Sequence, residues 1–304
     1  MNNMPIILNT SIDQEFIAKL INIARLAGDA IIDIYNAPEK VNIKIKKDQS
    51  PLTAADMAAH NVIVEALAKL LPIPIISEEA VLPNFTERKI WQHYWLIDPL
   101  DGTKEFIART GEFTVNIALI QNGVPVLGVV HVPVGDETYI GVSENISNEQ
   151  KSRAEKYRNG KKIADLKTRS LDARFAAQLS LDVLASARHG SEETAALLQE
   201  ISLHWPGSLQ LLNAGSSLKF CWIAEGRADF YPRLAPTCEW DTAAAQAVLV
   251  AAGGAVVDAK NLLPLSCNGN ETLLNPSFFA FGDILFEWVS LLKNASVTLS
   301  RNLQ

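Results

Sequence analysis

The chain is poor in cysteine: only Cys221, Cys238 and Cys267 occur in 304 residues. The number is odd and no Cys-x-x-Cys spacing is present. That argues against a disulfide framework or a structural zinc site and points to a reducing compartment. Positive charge is also in deficit, with 27 Lys and Arg against 34 Asp and Glu, a net −7. A non-specific nucleic-acid binder needs a basic surface to displace counterions, so that class is set aside. No uncharged apolar run reaches the length of a membrane span. The nearest, from Thr242 to Val257, is short and contains Gln246, Gly253 and Gly254. The opening MNNMPIILNTSID lacks both the basic stretch and the long apolar core of a signal peptide. With 48% hydrophobic residues and only 16 Gly and 14 Pro, the chain is neither disordered nor low-complexity. Its length suits one large or two medium domains with a core that needs no staples.

Ser11 with Gln14 has the form of a capping box. Behind it Phe16, Ile17, Leu20, Ile23, Ala24, Ala27, Ile31 and Ile34 recur at helical spacing. Val41 to Ile45 alternates like a strand, and a second helix is expected from Thr53 to Leu71, stopped by Pro72. Two buried runs, IPIIS and YWLID, each end in acids. A hairpin follows, with Asn122-Gly123 between FTVNIALIQ and VPVLGVVHV. TYIGVS reads as a further strand. The charged stretch from Ser143 to Arg174 reads as a surface excursion or an interdomain region. The second half alternates strands (LDVLASA, LQLLN, ADFYPR) with helices (SEETAALLQEISLH, SSLKFCWIAEG, and one from about Asp241 to Ala252), the rhythm of an α/β layered domain. A last helix is expected in ILFEWVSLLKNA. No internal repeat occurs.

Three acidic groups stand at the edges of apolar runs: Glu78-Glu79, Asp98-Pro99-Leu100-Asp101-Gly102-Thr103, and Asp241 within Glu239-Trp240-Asp241-Thr242-Ala243-Ala244. Pro fixes the backbone and Gly permits a sharp turn, so Asp98 and Asp101 can aim at one point with the Leu100 carbonyl between them. Clustered carboxylates repel one another and raise each other's pKa; divalent cations remove that repulsion. Magnesium takes oxygen ligands and is usually shared with a substrate phosphate. Phosphate-ester hydrolysis is therefore the reaction class this pattern suits best. Each acid also has a plainer explanation. Asp56 stands at N3 after Thr53 and can simply cap its helix, Glu79 can be a solvated loop acid, DPLDGT a tight turn, and Asp241 a first-turn helix acid.

Taken together, the Glu pair, DPLDGTKEFI and EWDTAAA resemble the inositol monophosphatase superfamily of magnesium-dependent, lithium-sensitive phosphatases, whose signatures are DPxDGT and WDxAA. KKDQSPLTAAD, DPLDGTKEFI and GSSLKFCWIAEGRADFYPR are similar to its CysQ-type branch, the 3′(2′),5′-bisphosphate nucleotidases. The resemblance runs from about Glu15 to Gly282. It implies a layered αβαβα sandwich of the inositol monophosphatase/fructose-bisphosphatase type. An N-terminal α+β domain (1–145) would carry most metal ligands, and a C-terminal α/β domain (146–304) would carry Asp241 and the nucleotide contacts. It implies two or three Mg2+ ions held by Glu78, Asp98, Asp101, Asp241 and the Leu100 carbonyl. Asp56 and Glu79 would serve a third metal or the attacking water, which Thr103 would orient. The backbone amides of Gly102, Thr103 and Lys104 would cradle phosphate. His189, Ser216, Lys219 and Arg233, with Asp241, would contact the nucleotide substrate. A solvated helix face is the plainer reading for Lys219, a helix-start role for His189, and a surface cation for Arg233.

The expected activity is removal of the 3′-phosphate of adenosine 3′,5′-bisphosphate, giving AMP, with the sulfated analogue as a further substrate. The expected setting is the cytoplasm, with peripheral association at the inner membrane as a variant, and the expected state is a monomer or homodimer. Two alternatives stand beside this: an inositol or sugar monophosphatase of the same superfamily, and a non-catalytic metal- or nucleotide-binding regulator.

Overall fold

The computed structural model describes residues 12–37, 44–45, 51–144, 151–185, 192–288 and 291–292. Two long helices form the outer layer of the first half: α1 (Gln14–Tyr35) and α2 (Ala54–Leu70). Between them a small antiparallel pair joins β1 (Lys44–Ile45) to β2 (Pro51–Leu52). The N-cap of α1 is Asp13, whose carboxylate accepts the Phe16 amide at 2.9 Å. The expected cap, Ser11, lies outside the described residues. The cap of α2 is as expected: Thr53 and Asp56 close a capping box.

A seven-stranded sheet follows: β3 (Ile75–Ser77), β4 (His93–Asp101), β5 (Thr114–Gln121), β6 (Val124–Val132), β7 (Glu137–Val142), β8 (Arg153–Arg158) and β9 (Lys161–Asp165), in that spatial order. Short helices α3 (Phe85–Arg88) and α4 (Thr103–Ile107) interrupt it. Asn122 and Gly123 both take positive φ, 51° and 79°, as a two-residue hairpin between right-twisted strands demands. The stretch from Ser143 to Arg174 is not a mere surface excursion, since β8 and β9 extend the sheet. Their charged side chains concealed the strands. Lys156 pairs with Glu137 and Glu225, and Lys162 with Glu155, while Ala154 is buried. A division at 145/146 would cut this sheet between β7 and β8, and we propose the division after Asp165 instead.

The second half has a five-stranded sheet of β10 (Leu181–Ala185), β11 (Leu209–Asn213), β12 (Phe230–Arg233), β13 (Ala255–Asp258) and β14 (Phe278–Phe281), ordered β11-β10-β12-β14-β13. Its helices are α5 (Asp172–Ala176), α6 (Glu192–His204), α7 (Leu218–Ala224) and α8 (Glu239–Ala251). The last expected helix extends beyond the described residues.

Strand parity shows the layers. Trp95 and Ile97 of β4 face α1 and α2, while Tyr94 and Leu96 face a core shared with α7 and α8. Tyr231, Phe278 and Ala280 of the second sheet meet that same core from the other side. Phe230, Phe279 and Phe281 point outward against α6, with Leu197 and Ile201. The order is helix, sheet, helix, sheet, helix: an αβαβα sandwich.

Helix α8 lies unusually close to the first sheet. Gly128 of β6 and Gly141 of β7 are cross-strand partners. A Cβ on Gly128 would run into the Ala244 carbonyl, and one on Gly141 into the backbone of Ala247 and Val248. The facing residues Ala243, Ala244, Ala245 and Ala247 are equally small and buried. Backbone therefore packs on backbone, which leaves α8 little freedom to slide and fixes where its first turn ends up.

Candidate active site

The site forms where β3 and β4 end and α8 begins. β3 and β4 are parallel, and the Glu78 amide donates to the Ile97 carbonyl, so Glu78 emerges beside Asp98. On a regular strand, residues 98 and 101 would point to opposite faces. The pairing of β4 with β5 instead shifts register between Asp98 and Asp101. This bulge at Pro99-Leu100 turns Leu100 into the core and lets both aspartates serve one side. Asp241 arrives from the second half at N3 of α8.

Carboxylate oxygens of Glu78, Asp98 and Asp241 all lie within 4.8 Å of one another, a grouping that could hold a metal ion. Burial, then the Glu78, Asp101 and Asp241 charges, hold Asp98 well above the usual carboxylate range. Burial, then Asp101 and Glu78, does the same to Asp241. Asp101 is pushed up to about 6, chiefly by burial, while Lys219 and the Ser217 amide pull the other way. Such a cluster of hard oxygen donors, crowded and short of positive charge, suits a divalent cation.

One oxygen of each aspartate accepts a backbone amide. Asp98 Oδ1 accepts the Leu100 amide at 3.0 Å. Asp241 Oδ2 accepts the Cys238 amide at 2.8 Å. Asp101 Oδ2 accepts the Ser217 amide at 2.7 Å and the Asn116 side-chain amide at 3.5 Å. Asp56 Oδ2 accepts the Thr53 amide and hydroxyl at 2.7 and 2.6 Å. Its Oδ1 accepts the Thr103 hydroxyl at 3.3 Å, and that hydroxyl is also 3.4 Å from the Leu100 carbonyl. Thr103 opens α4 behind Gly102, whose φ of +93° makes the turn.

Of the remaining expected residues, Gly102, Ser216, Lys219 and Arg233 line one cavity of about 180 Å³ together with Asp101 and Asp241. Lys219 is buried, its Nζ 3.0 Å from the Ser216 carbonyl and 5.4 Å from the Tyr231 ring centre. Burial lowers it to about 8 despite Asp101. Arg233 is oriented by the Ala235 and Pro236 carbonyls at 3.1 and 3.2 Å. Glu79 is half-buried next to Glu78 but is not one of the three converging carboxylates. His189 lies outside the described residues.

Sequence reading missed a polar group beneath the site: Glu112, Thr114, Asn116 and Ser217. The signal was present. In TVNIALI, the polar residues 114 and 116 fall two apart on a core-facing side of a strand, where only a partnered polar group is tolerated.

The chain matches the inositol monophosphatase family over residues 13–279. It is 45% identical to the 3′(2′),5′-bisphosphate nucleotidase CysQ of Escherichia coli K12 over 257 residues, covering 84% of this chain and 95% of that one. It is 33% identical to the protein of that name from Haemophilus influenzae, covering 93% and 98%. The crystal structure of CysQ from Bacteroides thetaiotaomicron superposes with a TM-score of 0.72 at 39% identity, covering 89% of this chain and 98% of that one. An inositol monophosphatase from Thermotoga maritima, at 21% identity and a TM-score of 0.67, shows the same fold. In its motifs, its layering and its converging carboxylates alike, the chain belongs to the inositol monophosphatase family.

Proposed function

We infer that the protein is a 3′(2′),5′-bisphosphate nucleotidase that hydrolyses the 3′-phosphate of adenosine 3′,5′-bisphosphate to AMP and phosphate. The observation that carries this is a carboxylate cluster opening into a cavity that also presents Lys219 and Arg233. A substrate with one phosphate needs only the acidic end; a second phosphate needs cations away from it. The Escherichia coli and Haemophilus influenzae relatives carry the same activity in their names.

Glu78, Asp98, Asp101, Asp241 and the Leu100 carbonyl are the residues that would hold Mg2+. When bound, the ions supply Lewis-acid activation of water and neutralise the phosphate charge. The chain's own residues do the rest. The Thr103 hydroxyl donates a hydrogen bond to Asp56, so it can accept one from the attacking water and, as it takes that water's proton, pass its own to the Asp56 carboxylate. The start of α4 leaves its first amides, Thr103 and Lys104, without intrahelical partners and available to phosphate oxygens. Glu79 is assigned to the same water. Lys219 and Arg233 grip the phosphate that is not cleaved. The cytoplasm is the compartment this reading favours, since all three cysteines are free; no helix among the described residues is long and apolar enough to cross a membrane.

The test is phosphate release from adenosine 3′,5′-bisphosphate, with inositol 1-phosphate as comparator, with and without Mg2+. Magnesium-dependent release from the bisphosphate is expected. Arg233→Ala should depress that reaction far more than any monophosphate hydrolysis. Absence of release at saturating metal refutes the assignment.

A further inference from the structure

The polar group beneath the site has a definite direction. The Asp101 carboxylate can only accept, so the Asn116 amide nitrogen faces it and the Asn116 Oδ1 faces Ser217. Ser217 Oγ donates to that oxygen at 2.8 Å. At the 2.8 Å contact between the Thr114 and Ser217 hydroxyls, Thr114 is therefore the donor. A chain of donors runs Thr114 to Ser217 to Asn116 to Asp101, and the Ser217 amide reaches the same Asp101 oxygen. All three supporting residues are at most 1% exposed. Thr114 and Asn116 belong to the first sheet, whereas Ser217 immediately precedes α7, which carries Lys219. Glu112 adds a further tie across the same boundary by accepting the Gly215 amide at 2.9 Å.

We propose that Thr114, Asn116 and Ser217 are positioning residues that occupy one Asp101 oxygen, turn the other toward the metal site, and fix the distance from that site to Lys219. The arrangement couples the two ends of the substrate: the same serine that orients a metal-binding carboxylate anchors the helix bearing the phosphate-binding cation. No described group other than Ser217 and Asn116 donates to Asp101 Oδ2. Without the relay the carboxylate keeps only its backbone donor, and its other oxygen is less narrowly directed.

The inference rests on Asp101 serving the metal site proposed above. Its test is calorimetric titration of the full chain with Mn2+ in the absence of substrate, beside thermal unfolding of the metal-free protein. Asn116→Leu and Ser217→Ala should weaken manganese binding about tenfold, the usual effect of removing an outer hydrogen-bond partner of a ligand. Thr114→Val, nearly isosteric but without the hydroxyl, should weaken it less, and Thr114→Ser should restore it. Wild-type manganese affinity in the folded Asn116 and Ser217 variants overturns the proposal. So does a loss that tracks thermal stability alone, with Thr114→Ser no better than Thr114→Val. Failure of the wild type itself to bind manganese overturns the metal-site reading, and this inference with it.

Discussion

Replacing Asp98 by Asn should stabilise the metal-free protein while abolishing its activity. Asp98 is 1% exposed and has two other carboxylates with oxygens within 4.8 Å. At an effective dielectric constant of about 20, each such pair repels by about 3.5 kcal/mol. Protonation caps the penalty. From the ordinary value of 3.8, a buried carboxyl at pH 7 can destabilise the fold by about 4 kcal/mol before it takes up a proton instead. Asn keeps the oxygen that accepts the Leu100 amide and removes the charge. A gain of up to about 4 kcal/mol corresponds to roughly 8 °C in Tm for a chain of this size.

The pH dependence has a fixed sign. Between its free and its raised folded pKa, the native Asp98 holds a proton that the unfolded chain has lost, so stability falls as pH rises through that window. The advantage of the Asp98→Asn variant over the wild type in chelator should therefore be larger at pH 7.5 than at pH 5. Magnesium should reverse the order, since only the wild type keeps the full ligand set and is stabilised by mass action. Differential scanning calorimetry at the two pH values, with EDTA or magnesium, reads all of this. An Asp98→Asn variant no more stable than wild type in EDTA at pH 7.5, or one whose advantage does not grow from pH 5 to pH 7.5, refutes the argument from crowded charge.

Three further outcomes are expected. Since Lys219 is lowered to about 8, it loses its charge as pH rises past that value, so KM for the bisphosphate should increase there; Lys219→Met should have a high KM that no longer changes across that range. Gly128→Ala should drive a Cβ into the Ala244 carbonyl, lowering stability by about 1–3 kcal/mol in urea unfolding and weakening metal binding as α8 is displaced. Thr103→Val should lower kcat about a hundredfold at unchanged Tm, and Thr103→Ser should restore most of it.

Much of this was legible in the sequence, because the relevant signals are local. The Asn122-Gly123 hairpin, the Thr53 cap and the DPLDGT turn each depend on residues only a few positions apart. What was hidden depends on distant partners. β8 and β9 read as a charged excursion because Lys156 and Lys162 find their acids across strands or from α7's end, at Glu137, Glu155 and Glu225. Asp13, which has no Glu or Gln three residues on to complete a capping box, caps α1 through its carboxylate alone, a weaker local signal. The polar residues under Asp101 were unreadable as a unit because Asn116 and Ser217 are 101 positions apart.

The acids themselves show why weighing a capping role against a functional one was the wrong opposition. Asp56 and Asp241 looked like ordinary first-turn helix acids, and both do cap: one oxygen of each accepts a backbone amide at N3 geometry. A carboxylate has two oxygens, however, and the cap consumes one. For Asp56 the other oxygen reaches Thr103; Asp241 joins the cluster with Glu78 and Asp98. Asp98 and Asp101 follow the same rule from a bulge and a strand end, each held through one oxygen by an amide within reach. A carboxylate held in this way has lost part of its rotational freedom before any cation arrives, so binding need not supply all of that ordering. Local structure and site chemistry therefore reinforce each other. Moving Asp56 or Asp241 to the next position in its helix would undo both at once, melting a cap and withdrawing an oxygen from the site.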